Sequence, residues 1–336
     1  MAVLKLLDAQ CNQCKTAAGN LSVCAGCKVV RYRCKEHQAA DWPTHKAQCT
    51  PVKKARVHFE KEETDLRTCP ANPLEEPEPH FWGWLETRPY MRARYGLLDA
   101  LRKIKTRDAV QAAHDHVKEC LRLCRSDNMG VRDMAPALML RLGRDQEAYD
   151  FMKWYATSGE DPDYDWGDLE LPYLDLKGEN AFEPPTLWAA EFDNFTFKIA
   201  LTLLKLRLLL DLISLQNSMK IAEKLPQELI DNIRAHLTSD IVANNAEIMR
   251  KVRDGISIQT HIDAIDTQMN TLFNNVNKSN KYFWPALVNP GSALTARPAS
   301  YSYGSYEEME LKLQYSYEAW EETPGAIEWV RQKLNR

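Results

Sequence analysis

Apolar residues return at steps of three and four from Tyr90 onward, with Ala93, Leu97, Ala100, Leu101 and Ile104 on one face of a predicted helix. Thr106, Arg107 and Asp108 interrupt the series, and a second one runs from Ala109 to Leu123. The same alternation follows further on: Met134 to Leu142, a turn at Gly143, Arg144 and Asp145, then Glu147 to Tyr155. From near Thr186 through Leu215 the chain is nearly all leucine, the pattern of a buried helix, with Lys205, Arg207 and Asp211 expected where that helix meets solvent. Helices are expected again over residues 227–237, 240–252 and the more polar 257–276. A loop marked by proline and tyrosine, 285–303, precedes an amphipathic helix at about 305–320, whose Glu307 and Glu308 suit a helix N-terminus, and a last helix near 325–334. The pattern predicts a mainly α fold.

Taken two by two, the helices between Tyr90 and Tyr155 resemble tetratricopeptide-like repeats, which bury their apolar faces only by stacking. Ahead of them the periodicity fails. Residues 53–67 are charged and lead into RTCPANPLEEPEP, where Pro70, Pro73, Pro77 and Pro79 deny regular hydrogen bonding. The expected division is therefore a small N-terminal domain at 1–50, a charged and Pro-rich linker at 51–85, and an all-helical domain with a helical tail at 86–336. Within the last, GEDPDYDWGDLE places six carboxylates in twelve residues. A calcium loop starting at Asp161 would need glycine where Trp166 stands and glutamate where Pro172 stands, so a solvated acidic loop is expected.

At 336 residues and 44% hydrophobic, the chain can bury a substantial core, and its length suggests two domains. A net charge of -4 implies neither a surface that coats nucleic acid nor an acidic tail. Residues 1–50 carry seven Lys/Arg against three Asp/Glu, too small a surplus for a DNA-neutralising patch. Leu4, Leu6 and Leu7 are interrupted by Lys5 and followed by Asp8 and Gln10, which falls short of a secretory h-region. The leucine-rich stretch holds Lys205, Arg207 and Asp211 and does not suit a bilayer. A cytoplasmic or nuclear protein with reduced cysteines, no membrane partner and no direct nucleic-acid partner is the expectation.

Candidate chemistry concentrates at the N-terminus, which holds six of nine cysteines. Cys11 and Cys14 form one CxxC, Cys24 and Cys27 a second, Cys34 and His37 a CxxH, and His45 and Cys49 an HxxxC. Short loops of this kind each offer zinc two soft or borderline donors, and two loops complete a tetrahedral site. Eight ligands fill two sites, so two zinc ions are expected, in closed sites that stabilise folding and leave the metal no catalytic role.

The ligand order and the closing string RYRCKEHQAADWPTHKAQC resemble the MYND-type zinc finger. That resemblance implies an interleaved arrangement, with Cys11, Cys14, Cys34 and His37 on one zinc and Cys24, Cys27, His45 and Cys49 on the other. His37 stands where most members have cysteine. The family usually places its fifth ligand directly after the tyrosine, where this chain has Arg33, and the cysteine comes one residue later at Cys34. The resemblance further implies a β-hairpin that binds short proline-containing peptides around a Pro-x-Leu core by strand addition, with contacts at Ala25, Gln38 and Trp42. Phrases such as MLRLGRDQEAYDFMKWYA are similar to a group of fungal MYND proteins with no assigned activity.

A catalytic alternative comes from the MYND-containing lysine methyltransferases, in which the finger is inserted in a SET domain. Their Asn-His-Ser-Cys segment has no counterpart, since no Asn-His pair occurs in the chain. The closest glycines, Gly19 and Gly26, are seven apart, which excludes a P-loop or dinucleotide fingerprint, and no GxSxG elbow is present. His116, Cys120 and Cys124 share a predicted helix face, where packing explains them better than a third metal. The expectation is a non-enzymatic, zinc-binding adaptor for protein or peptide partners with Pro-rich motifs, the helical domain offering a second surface. Transcriptional regulation through corepressor recruitment is a further form of that reading.

Overall fold

One two-stranded sheet and twelve α-helices make up the regular structure among the described residues, apart from short 3-10 turns. The structure is a computed structural model and describes residues 9–17, 19–70, 73–74, 81–190, 194–219, 228–229, 232–233, 236–237 and 239–335. Two compact units divide it, Leu6–Leu138 with Asp163–Tyr173, and Met139–Pro162 with Leu174–Arg336. The mainly α expectation holds.

The first unit begins with the cysteine-rich segment. Strand β1, Ser22–Val23, pairs antiparallel with β2, Arg31–Tyr32, and Cys11 forms a parallel bridge to Arg31 on the far side of β2. Helix α1 then runs without a break over Lys35–Arg67. The expected linker therefore needs correction in its first part, because residues 53–67 are helical. Their charges are compatible with helix: Lys61 pairs with Asp65 and Arg67 with Glu63, each four residues apart on the solvent side. Proline normally costs about 3 kcal/mol inside a helix, partly through the carbonyl it leaves without a donor. Pro43 and Pro51 of α1 free the carbonyls of Ala39 and Ala47, and both residues are exposed, which lowers that cost. Residues 71–72 and 75–80, with Pro77 and Pro79 of the expected linker, lie outside the described residues.

The buried side chains of α1 are Asp41, His45, Cys49, Val52, Phe59 and Leu66, at steps of three, four and seven. One stripe of the helix thus carries metal-type donors in its first half and apolar side chains in its second. The apolar half packs on α2, Arg88–Leu101, which packs in turn on α3, Arg107–Leu123. Phe59 lies 5.5 Å from the Tyr90 ring and 5.4 Å from that of His116, and the Arg94 guanidinium covers both aromatic faces at 4.8 and 4.9 Å. The predicted break before α3 is its N-cap: Thr106 Oγ1 accepts from the Ala109 N–H.

Helix α4, Ala135–Arg141, crosses the border between the units. Helix α5, Asp145–Ala156, belongs to the second, whereas α2 and α3 belong to the first. The second predicted helix pair is thus divided between the units, and the tetratricopeptide-like reading is not confirmed.

In the second unit α6, Phe195–Met219, is apolar almost all round, as befits a central helix. Lys205, Arg207 and Asp211 do not mark a solvent edge: they are 0%, 1% and 5% exposed. Lys205 donates to the carbonyls of Ala181 and Glu183 and to Gln268, and burial lowers its pKa to about 7. Arg207 pairs with buried Asp145 at 3.1 Å, and Asp211 accepts from the Ser239 N–H. Apolar context predicts burial of these residues correctly only once partners from distant segments are known.

Residues 227–237 lie largely outside the described residues. The helix expected at 240–252 is two, α7 (Asp240–Ala243) and α8 (Ala246–Arg253), because the Asn245 side chain caps the Ile248 N–H and restarts the spiral. Helix α9, Gln259–Ser279, packs along α6. The expected loop at 285–303 holds the end of a short helix, α10 (Phe283–Val288), and a 3-10 turn. Helices α11 (Tyr306–Glu321), capped by Ser305, and α12 (Ala326–Leu334), after left-handed Gly325, match expectation. Among the described residues no helix is long and apolar enough to cross a membrane.

Candidate metal centre

Two groups of donors come together in the first fifty residues, and they interleave along the chain. Cys24, Cys27, His45 and Cys49 form a fully buried group, and Cys11, Cys14 and His37 a second, less buried one. The CxxC at Cys24 turns back on itself, with the Lys28 N–H donating to Cys24 O and Lys28 in the left-handed region at φ 62°. Helix α1 contributes the other pair: His45 and Cys49 are four apart and share a face.

The four-donor group can be tested against zinc geometry. Donors bound at about 2.3 Å on a tetrahedron stand about 3.8 Å apart when both are sulfur, and about 3.6 Å when one is nitrogen. Cys24 Sγ and Cys49 Sγ are 3.8 Å apart, and Cys27 Sγ and His45 Nε2 3.6 Å. Burial lowers the His45 pKa, which keeps the imidazole neutral and able to ligate. Burial and the neighbouring Cys27 and Cys24 push the Cys49 thiol up to about 12. Buried thiols crowded this closely ionise together only around a cation. The donor set, spacing and burial fit zinc.

In the second group Cys11 Sγ lies 3.3 Å from His37 Nδ1, and the Arg33 N–H donates to Cys11 Sγ at 3.4 Å. Cys14 is exposed and His37 half-buried. Cys34, expected as the fourth ligand, is not brought in. It sits at the N-cap of α1 with extended backbone, φ -156° and ψ 172°, and makes no side-chain capping bond. The one-residue shift relative to the family pattern puts Cys34 at the helix cap and Arg33 at the position nearest Cys11.

The residues named for peptide contact are all near this scaffold. Ala25 is exposed in the Cys24–Cys27 turn, Gln38 is half-buried in the first turn of α1, and Trp42, one turn on, is 42% exposed. The Trp42 ring also meets His45 edge-on at 6.1 Å, so it both shields the buried donor group and presents an apolar face. Strand β1 has both residues exposed, and its outer edge is unpaired among the described residues. His116, Cys120 and Cys124 do not form a metal group; Cys120 and Cys124 are buried packing residues.

Four residues outside the predicted set shape the site. Gly26 faces the donors so closely that an added Cβ would lie 2.8 Å from Cys49 Sγ. A glycine inside a CxxC turn was the available signal. Asp41 accepts from Tyr32 Oη and Asn12 Nδ2, each at 2.6 Å, joining β2, the Cys11 loop and α1. Arg56 donates to Cys27 O at 3.1 Å, and Thr106 to Val29 O at 2.7 Å, so α1 and the start of α3 grip the knuckle. No local pattern announces these long-range partners.

No solved structure matches the chain. SET domain-containing protein 14 of Caenorhabditis elegans is 38% identical over 47 residues, which is 14% of this chain and 11% of that protein. The chain thus spans about a tenth of that relative's length. Residues 11–49 match the MYND finger family. With its interleaved Cys/His groups and a tetrahedral donor set, this segment is a MYND-type zinc finger.

Proposed function

We propose that the chain is a non-enzymatic adaptor whose finger, organised by two zinc ions, binds short proline-containing peptides of protein partners. The observations that carry this reading are the exposed, unpaired outer edge of β1 and, in the same finger, half-exposed Trp42 on α1. An extended peptide added to that edge would gain backbone hydrogen bonds, and its apolar side chain a surface at Trp42. Gln38, one turn before Trp42 on α1, and Ala25, exposed in the Cys24–Cys27 turn, are the further contacts of this reading. Val23, 44% exposed on β1, extends the apolar surface. When bound, zinc supplies cross-links that hold the two knuckles on α1, and the protein groups do the recognition.

The match to a SET domain-containing protein is confined to the finger and brings no argument for methyl transfer. The helical units offer further surfaces, and the reading places the protein in the cytoplasm or nucleus, where thiols remain reduced. The test is fluorescence polarisation with a labelled peptide carrying a Pro-x-Leu core against its scrambled version. Trp42→Ala is expected to weaken binding by roughly thirtyfold, as loss of an aromatic anchor does, with the zinc content unchanged. Equal affinity of wild type and variant, or of both peptides, overturns the proposal.

A further inference from the structure

We infer that the finger's two metal sites are unequal: the Cys24, Cys27, His45 and Cys49 site is closed by protein, whereas the Cys11, Cys14 and His37 site gives its metal three protein donors and a fourth position open to solvent. The inference rests on the two-zinc reading proposed above. It names the property that separates the sites, which is exchange lability.

Three observations converge. The donor count differs, four against three, by the same distance criterion. The burial differs in the same direction, since all four donors of the first group are buried while Cys14 is exposed and His37 half-buried. The thiol that would complete the smaller group, Cys34, stands outside it. Cys34 is the N-cap of α1, at the start of the helix that also delivers His37. The preceding residue, Arg33, carries no metal-type donor and gives the Cys11 sulfur only a backbone N–H. The Gln38 N–H bonds to Cys34 O and holds the Cys34 backbone in the first turn of α1.

The consequence follows from coordination chemistry. A zinc site with three protein ligands completes its sphere with water, which exchanges and admits competing ligands. A site closed by four buried donors has no such entry. Zinc is therefore expected to leave Cys11, Cys14 and His37 readily and to stay with Cys24, Cys27, His45 and Cys49.

The experiment uses the full chain saturated with zinc, freed of excess metal, and challenged with a chromophoric chelator. Elemental analysis is expected to find two zincs per chain at saturation, one extracted in a resolved fast phase and one retained. Cys34→Ser should show the same two phases, and Cys14→Ser should lose the fast phase alone. Cobalt(II) substitution gives a second readout: its sulfur charge-transfer intensity should report five thiolates, three from one site and two from the other, and be unchanged in Cys34→Ser. Release of both zincs in one phase, or loss or acceleration of the fast-phase zinc in Cys34→Ser, overturns the inference. So does a single zinc at saturation, which leaves the closed site standing. No zinc at all overturns the two-zinc reading itself, and the inference with it.

Discussion

The closed site depends on residues that carry no donor. Gly26 leaves just enough room for the Cys49 sulfur, because an alanine Cβ there would stand 2.8 Å from it. Neither neighbour can retreat, since Cys49 is fixed on α1 and Gly26 in the turn between two ligands. Gly26→Ala is therefore expected to destabilise the finger by about 1–3 kcal/mol, as overpacking does elsewhere, and to speed release of the retained zinc. Chelator-release kinetics measure it directly; unchanged kinetics would show that the turn gives way. Asp41 has a comparable part. Its carboxylate accepts from Tyr32 and Asn12 immediately before Trp42, so the anchor residue stands on a turn tied to both knuckles. Burial and the Asp41 carboxylate both push the Tyr32 phenol up, so it remains a hydrogen-bond donor. These residues were not legible from the ligand spacing, because spacing reports which side chains converge and not what supports them.

Helix α1 unites two functions along one stripe. Its ligands His45 and Cys49 continue into Val52, Phe59 and Leu66, so the finger's last element is also the first helix of the α2–α3 cluster. The sequence showed the ligands and the charges of residues 53–67 but not this continuity, since few apolar residues spaced seven apart make a weak periodic signal. At the seam lies His116, whose pKa is lowered to about 4 by burial, with Arg94 and Arg56 acting in the same direction. An unfolded chain would protonate that ring near pH 6.5, so the unfolded state binds more protons between about 4 and 6.5. Stability contributed by neutral His116 is present above pH 6.5 and is lost as pH falls toward 4. The slope approaches about 1.4 kcal/mol per pH unit within that window. Urea denaturation across the window should show His116→Phe with a shallower dependence than wild type. The metal ligands titrate in both proteins, and parallel curves would refute the assignment.

At the scale of the whole chain, the first unit is a finger built into helices. Arg56 and Thr106 hold the knuckle carbonyls of Cys27 and Val29, and Arg31 pairs with Asp108 at the start of α3. Removal of the retained zinc is therefore expected to raise hydrogen exchange beyond the finger, in α1 around Phe59 and in the first turn of α3. Hydrogen-exchange mass spectrometry with and without chelator tests this, and a response that stops at Cys49 would contradict it. The second unit is organised differently, around a central leucine-rich helix whose buried Lys205 and Arg207 bind carbonyls and a carboxylate. The sequence by itself determined the candidate metal donors, the mainly α class and the helix starts near Thr106, Ser305 and Gly325, because these depend on residue type at short, regular spacing. Only the tertiary structure decided that α1 runs through the expected linker, that Cys34 caps a helix, and that Lys205 and Arg207 are interior. The burial of Lys205 and Arg207 turns on partners brought from distant parts of the chain, and the course of α1 on packing against α2, and local spacing carries no record of either.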